Sequence, residues 1–155
     1  MIVKYRTRFN DSLLPELVKE SEYEFADGCV NSPEKVVDMM RRIFSIDRET
    51  EEYMYEVCLN AKGRVLAVFE TSHGAVDQTL VSPREFFQKA LLAGAVSVIA
   101  VHNHPSGDCT PSKEDKDCAA RLRKSGELIG IRLADFIIVG DFFYSFLQEK
   151  VLYGK

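Results

Sequence analysis

Val36, Val37, Met40, Ile43 and Phe44 recur at helical spacing, and Ser32-Pro33 ahead of them reads as an N-cap followed by proline at the first helical position. A helix over about 33–45 follows. Residues 53–59 and 64–69 are rich in β-formers and flank Asn60-Ala61-Lys62-Gly63, which suits a tight turn, so they predict an antiparallel hairpin whose second arm ends at Glu70. Ser82-Pro83 repeats the helix-start signal, and Phe86, Phe87, Ala90 and Leu91 supply an apolar face up to Gly94. Residues 95–101 are almost wholly apolar and β-branched, the mark of a strand buried on both faces. A polar loop, a helix over about 112–125 and two strands at 131–139 and 142–147 complete the pattern.

Helices interleaved with hairpins predict an α/β fold, a mixed-sheet α/β/α sandwich. Residues 1–31 show no clean period, and acids crowd at Glu20, Glu22, Glu24 and Asp27, so they are read as an N-terminal arm before a domain spanning 32–155. At 155 residues the chain suits one packed core. The formal net charge of −4 supplies no general attraction for phosphate backbones or anionic lipid. No apolar run approaches the roughly 20 residues that span a bilayer, and no signal peptide is evident, so a cytoplasmic protein is expected. Cys29, Cys58, Cys109 and Cys118 are scattered without a Cys-x-x-Cys pair, which predicts free thiols and no thiolate metal site.

The chemistry concentrates where the apolar strand ends. In extended backbone, residues i and i+2 point to the same side, so His102 and His104 present two imidazoles together. Pro105, Gly107 and Pro111 allow the chain to turn back toward them. Asp115 then falls in the first turn of the next helix, on one stripe with Cys118 or Ala119 and Leu122. An inward carboxylate needs a partner, and a divalent cation shared with the two histidines supplies one while leaving a fourth position for water. One zinc ion per chain is the expected cofactor. Ser112-x-x-Asp115 alone could be a helix cap, but that reading ignores the histidines. The letters His102-Asn103-His104 also invite a nuclease reading, yet such nucleases draw those residues from separate points along the chain.

The spacing His102-x-His104, seven residues, Ser112, two residues, Asp115 resembles the JAMM motif of the JAB1/MPN metallopeptidases. His102-Asn103-His104-Pro105-Ser106-Gly107-Asp108 with Pro111-Ser112 is more similar to the bacterial RadC branch, as are Ser82-Pro83-Arg84-Glu85, Leu133 to Gly140 and Tyr144-Ser145. The resemblance covers about 30–150 and implies a JAB1/MPN-like, cytidine-deaminase-like sandwich. Two positions depart from it: Phe136 stands where histidine is usual after the aspartate, and Ala75 where threonine is usual after the loop glycine. Longer RadC proteins carry a glycine-dependent helix-hairpin-helix region; with only Gly28 in residues 1–50, a short form without it is expected.

The resemblance also implies an upstream glutamate as general base, for which Glu70 is the best match, with Glu56 second and Glu85 less suited on its helix. The expected reaction is hydrolysis of a peptide or isopeptide amide, with Ser112 helping to stabilise the oxyanion. A DNA-repair-associated accessory protein or nuclease is the first alternative, nucleic acid entering through the family association only; a non-catalytic MPN-like scaffold is the second. His73 reads as a solvated loop histidine and Cys109 as a plain thiol. The stretch Lys113, Lys116, Arg121, Arg123, Lys124, interrupted by Glu114 and Asp117, reads as a solvated helix face.

Overall fold

A computed structural model describes residues 1–26, 28–74 and 81–153. Asp27 of the acidic crowd and Ala75, the second departure, lie outside the described residues. The elements follow the order β1 (Ile2–Phe9), β2 (Pro15–Tyr23), α1 (Pro33–Phe44), β3 (Tyr53–Leu59), β4 (Val65–His73), α2 (Pro83–Leu92), β5 (Ser97–Asn103), α3 (Lys113–Ile129), β6 (Arg132–Val139) and β7 (Phe143–Ser145). One mixed seven-stranded sheet runs β2-β1-β4-β3-β5-β6-β7, with β1 parallel to β4 and β5 parallel to β6. This is the expected α/β fold.

The period-2 alternation of the strands divides the interior into two cores. One face gathers Met54, Phe69, Val98, Ala100, Phe136 and Ile138 beneath Phe86, Phe87, Ala90, Cys118, Ala119 and Leu122 of α2 and α3. The other gathers Tyr55, Val57, Val68, Val101 and Ile137 beneath Val36, Val37, Met39, Met40 and Phe44 of α1. Helices therefore cover both faces, and the central strands are apolar on both sides, as residues 95–101 predict.

Three boundaries move. The unpatterned segment 1–31 contains β1 and β2, a hairpin whose antiparallel register runs from Ile2–Tyr23 to Phe9–Pro15 and which joins the sheet against β4. Its half-exposed, charged strands carry no hydrophobic period to read. The long helix α3 continues through Gly126, because a side chain there would meet the Ile131 carbonyl oxygen at 2.2 Å and only glycine lets helix and following strand pack this closely. Most consequentially, β4 runs on to His73, so Glu70 lies inside the strand and not at its end. No helix among the described residues is long and apolar enough to cross a membrane.

Candidate metal centre

Strand β5 is a buried interior strand, and its end delivers His102 within the strand and His104 just past it. His102 continues the row of Val98 and Ala100 toward α3 and is 1% exposed. The chain leaves the sheet after Asn103, with the His104 amide still bonded to the Val139 carbonyl at 2.9 Å. It turns at Gly107, where φ is +87°, and returns to α3. Ser112 caps that helix and accepts from the Asp115 amide at 3.0 Å, while its own amide and hydroxyl donate to Asp115 Oδ2 at 2.7 and 2.8 Å. The capping arrangement and the inward-facing acid are thus one device: the cap fixes the rotamer that aims Asp115 at the histidines.

The result is a convergent triad. His102 Nε2 lies 3.0 Å from Asp115 Oδ1, and His104 Nε2 lies 3.3 Å from Asp115 Oδ2. One ligand atom from each of the three residues lies within 4.8 Å of the others, the arrangement a single divalent ion requires. The three predicted ligands are therefore brought together. Burial opposes the Asp115 charge, but hydrogen bonds from His102, His104 and the Ser112 backbone hold its carboxyl far below the usual carboxylate range. The Asp115 hydrogen bond raises the His104 imidazole, against the effect of burial.

The surroundings fit a metal as well. His104 Nδ1 donates to the Asp108 carbonyl at 2.7 Å, a bond that fixes the ring and leaves Nε2 as the ligating nitrogen. His102 Nδ1 is buried without a hydrogen-bond partner among the described residues, and the Phe136 ring packs edge-on against His102 with centroids 6.4 Å apart. A phenyl ring offers that nitrogen no acceptor. The metal loop is braced from below: the Asp141 amide donates to the Gly107 carbonyl at 2.8 Å, and a side chain at Gly140 would meet that same oxygen at 2.2 Å. Arg41 of α1 in turn donates to the Gly140 carbonyl at 3.0 Å, tying the brace to the helix on the other face.

A cleft of about 630 Å³ opens over the triad, lined by Thr50, Glu51, Glu52, His102, His104, Pro105, Ser106, Ser112, Glu114 and Asp115. Ser112 is in it; Glu70 is not. Glu70 follows Val68 by two residues and pairs with Tyr55, both in the α1-side core, so it faces away from His102 across the sheet. Its carboxylate accepts from Lys4 at 2.9 Å. The expectation of a base at Glu70 rested on its ending the strand, and β4 does not end there. Glu56, the second choice, is fully buried with no access to the cleft, its Oε1 taking the Cys58 thiol at 3.4 Å. Glu85 lines a separate surface hollow beside β1.

The acids that do reach the cleft come from the segment before β3. Glu51 is paired with His73, which is solvent-exposed as expected but ends β4 instead of lying in a loop, its ring stacked on Tyr53 at 4.1 Å. Glu52 is half-buried, and its charge is among the influences raising the His104 imidazole. No local pattern singles it out, because its approach to His104 depends on how β3 pairs with β5.

Elsewhere the four cysteines are free thiols. On the basic face of α3, Arg123 pairs with Glu127 at 2.8 Å and Arg121 donates to the Val81 carbonyl at 3.0 Å.

The sequence pattern described as the RadC-like JAB domain matches residues 30–151. A UPF0758 protein of Geotalea uraniireducens is 41% identical over 122 residues, covering 78% of this chain and 53% of that protein. Another from Caldanaerobacter subterraneus is 39% identical over 124 residues, 80% of this chain and 52% of its own length. One from Clostridium tetani is 44% identical over 100 residues, 64% of this chain and 44% of its own. The chain spans about half the length of the curated relatives it matches.

Proposed function

We propose, from the premise that this chain belongs to the RadC-like JAB domain family, that it is a zinc-dependent hydrolase of peptide or isopeptide amides. The observation that carries the reading is the convergence of His102, His104 and Asp115 within 4.8 Å on the floor of a cleft whose wall holds Glu52. Two imidazoles and one carboxylate are a donor set zinc accepts, with a coordination position left over. When bound, zinc supplies Lewis acidity to a water and to the substrate carbonyl.

The chain's own groups do the rest. Glu52 takes a proton from the attacking water, whose oxygen bonds to the carbonyl carbon, and returns that proton to the departing nitrogen as the C–N bond breaks. Ser112 aims Asp115 in the resting chain, and its hydroxyl can rotate toward the oxyanion of the tetrahedral intermediate. Glu51, Glu52 and Glu114 in the cleft repel a phosphodiester, which supports a neutral amide substrate over nucleic acid.

The test is metal analysis and turnover on a library of fluorogenic peptide and isopeptide amides. His104→Ala and Asp115→Ala should lose the near-stoichiometric zinc of the parent, while Glu52→Gln should keep it and lose about 10²- to 10⁴-fold in turnover. Full turnover by Glu52→Gln would reject the assignment of the base. Stoichiometric zinc with no hydrolysis of any amide would point to a scaffold instead.

A further inference from the structure

Asn103 sits between the two histidines, is 1% exposed and contributes no ligand to the triad. Its side chain reaches sideways to the segment before β3. The β3–β5 ladder ends at the Met54–His102 pair, and beyond it the Asn103 amide takes over the pairing. Asn103 Oδ1 accepts from the Tyr53 amide at 2.7 Å, and Asn103 Nδ2 donates to the Glu51 carbonyl at 3.0 Å. The two bonds straddle Glu52. From the other side, the Gly74 amide donates to the Glu52 carbonyl at 2.8 Å, so three successive residues are each held through a backbone atom of their own.

We propose that Asn103 is a positioning residue: its side-chain amide clamps the backbone on both sides of Glu52 and so holds that carboxylate over the metal site. The physical case is that both bonds, part-buried at the Tyr53 and Glu51 end, are made by a buried amide, and losing it would leave a donor and an acceptor unsatisfied. A side chain carrying both a donor and an acceptor on one planar group is what this double contact needs, and asparagine at this position reaches no further than the adjacent strand. Because Asn103 is flanked by His102 and His104, the residue that sets the base and two of the three metal ligands are consecutive residues at the end of β5 and just beyond it. Base and ligands then keep a fixed separation, which matters because a misplacement of about 1 Å can lower a rate about a hundredfold.

The inference rests on the reading of Glu52 as the base, and the test separates the two. The full chain is loaded with cobalt(II), and NMR relaxation of the carboxyl carbon of Glu52 reports its distance from the ion; exchange of the Tyr53 amide is followed in the metal-free chain. The parent should show strong enhancement at Glu52 and slow exchange at Tyr53. Asn103→Ala should bind cobalt with unchanged stoichiometry, lose the Glu52 enhancement several-fold and exchange Tyr53 faster. Asn103→Asp, which keeps the acceptor but not the donor, should protect Tyr53 while still losing enhancement, and it serves if the alanine variant fails to fold. Enhancement unchanged in both variants overturns the clamp and leaves the base standing. Weak enhancement in the parent overturns Glu52 as the base and, with it, the clamp's purpose.

Discussion

Replacing Glu56 with glutamine should flatten the stability of this chain between mildly acidic and mildly basic pH. Glu56 is fully buried in the middle of β3; the Cys58 thiol bonds one oxygen at 3.4 Å, and the other has no hydrogen-bond partner among the described residues. Burial pushes its carboxyl from 4.5 up to about 8, against the smaller downward pulls of the Cys58 bond and the Lys89 charge. The unfolded chain releases this proton near the ordinary value, whereas the folded chain keeps it until about pH 8. Across that window the folded state holds a proton the unfolded state has lost, so stability falls as pH rises. The slope is about 1.4 kcal/mol per pH unit, and the whole window amounts to about 4 to 5 kcal/mol. That is a large part of the stability of an ordinary domain. Urea unfolding of parent and Glu56→Gln, with chelator present and at about pH 5, 6.5 and 8, gives the two curves. They should converge or cross as pH rises, the parent losing stability faster. Parallel curves, however far apart, would show that Glu56 does not hold its proton. A proton locked in this way also explains why Glu56 makes a poor general base near neutrality.

Three other outcomes follow from the same structure. Gly140→Ala places a methyl group 2.2 Å from the Gly107 oxygen, so the brace must move away from the metal loop; stability should fall by about 1 to 3 kcal/mol and zinc should bind more weakly, read by denaturation and a chelator competition. Phe136→His gives the buried His102 Nδ1 a polar neighbour, and the same competition should show zinc held about tenfold more tightly, with some loss of thermal stability. Glu70→Gln breaks only a part-exposed pair with Lys4, so it should change stability by no more than about 1 kcal/mol and leave turnover intact; a collapse of turnover would return the base to Glu70.

The sheet and helices were legible wherever burial imposes a period. The face of α1, the apolar run of β5 and the start of α3 all stand in the chain as spacings, because one wrong residue there would put a polar group in a core. The β1–β2 hairpin was not legible, since strands of half-exposed residues such as Lys4, Arg6, Glu20 and Glu22 satisfy their backbone bonds without any hydrophobic alternation. The extension of β4 past Glu70 escaped for a related reason. Glu70, Thr71 and Ser72 are only partly buried, and they are held by pairing with β3 and by the Thr71 hydroxyl on the Met54 carbonyl, neither of which leaves a mark on local composition.

The same distinction separates the ligands from the base. His102, His104 and Asp115 lie within one strand, one turn and one helix start, so strand alternation and helix phase suffice to converge them. The proposed base comes from a segment about 50 residues upstream, and which glutamate reaches the cleft depends on a register fixed by pairs such as Met54–His102 and Tyr55–Glu70. Adjacent acids differ in their neighbours: Glu51 and Glu52 both line the cleft, but Glu51 pairs with His73, while the charge of Glu52 acts on His104. Asn103 is where the two kinds of information meet. It sits in the readable motif as a residue with no ligating role, and only the fold shows that its amide bonds residues 52 and 50 positions away, on either side of the acid that local pattern could not choose.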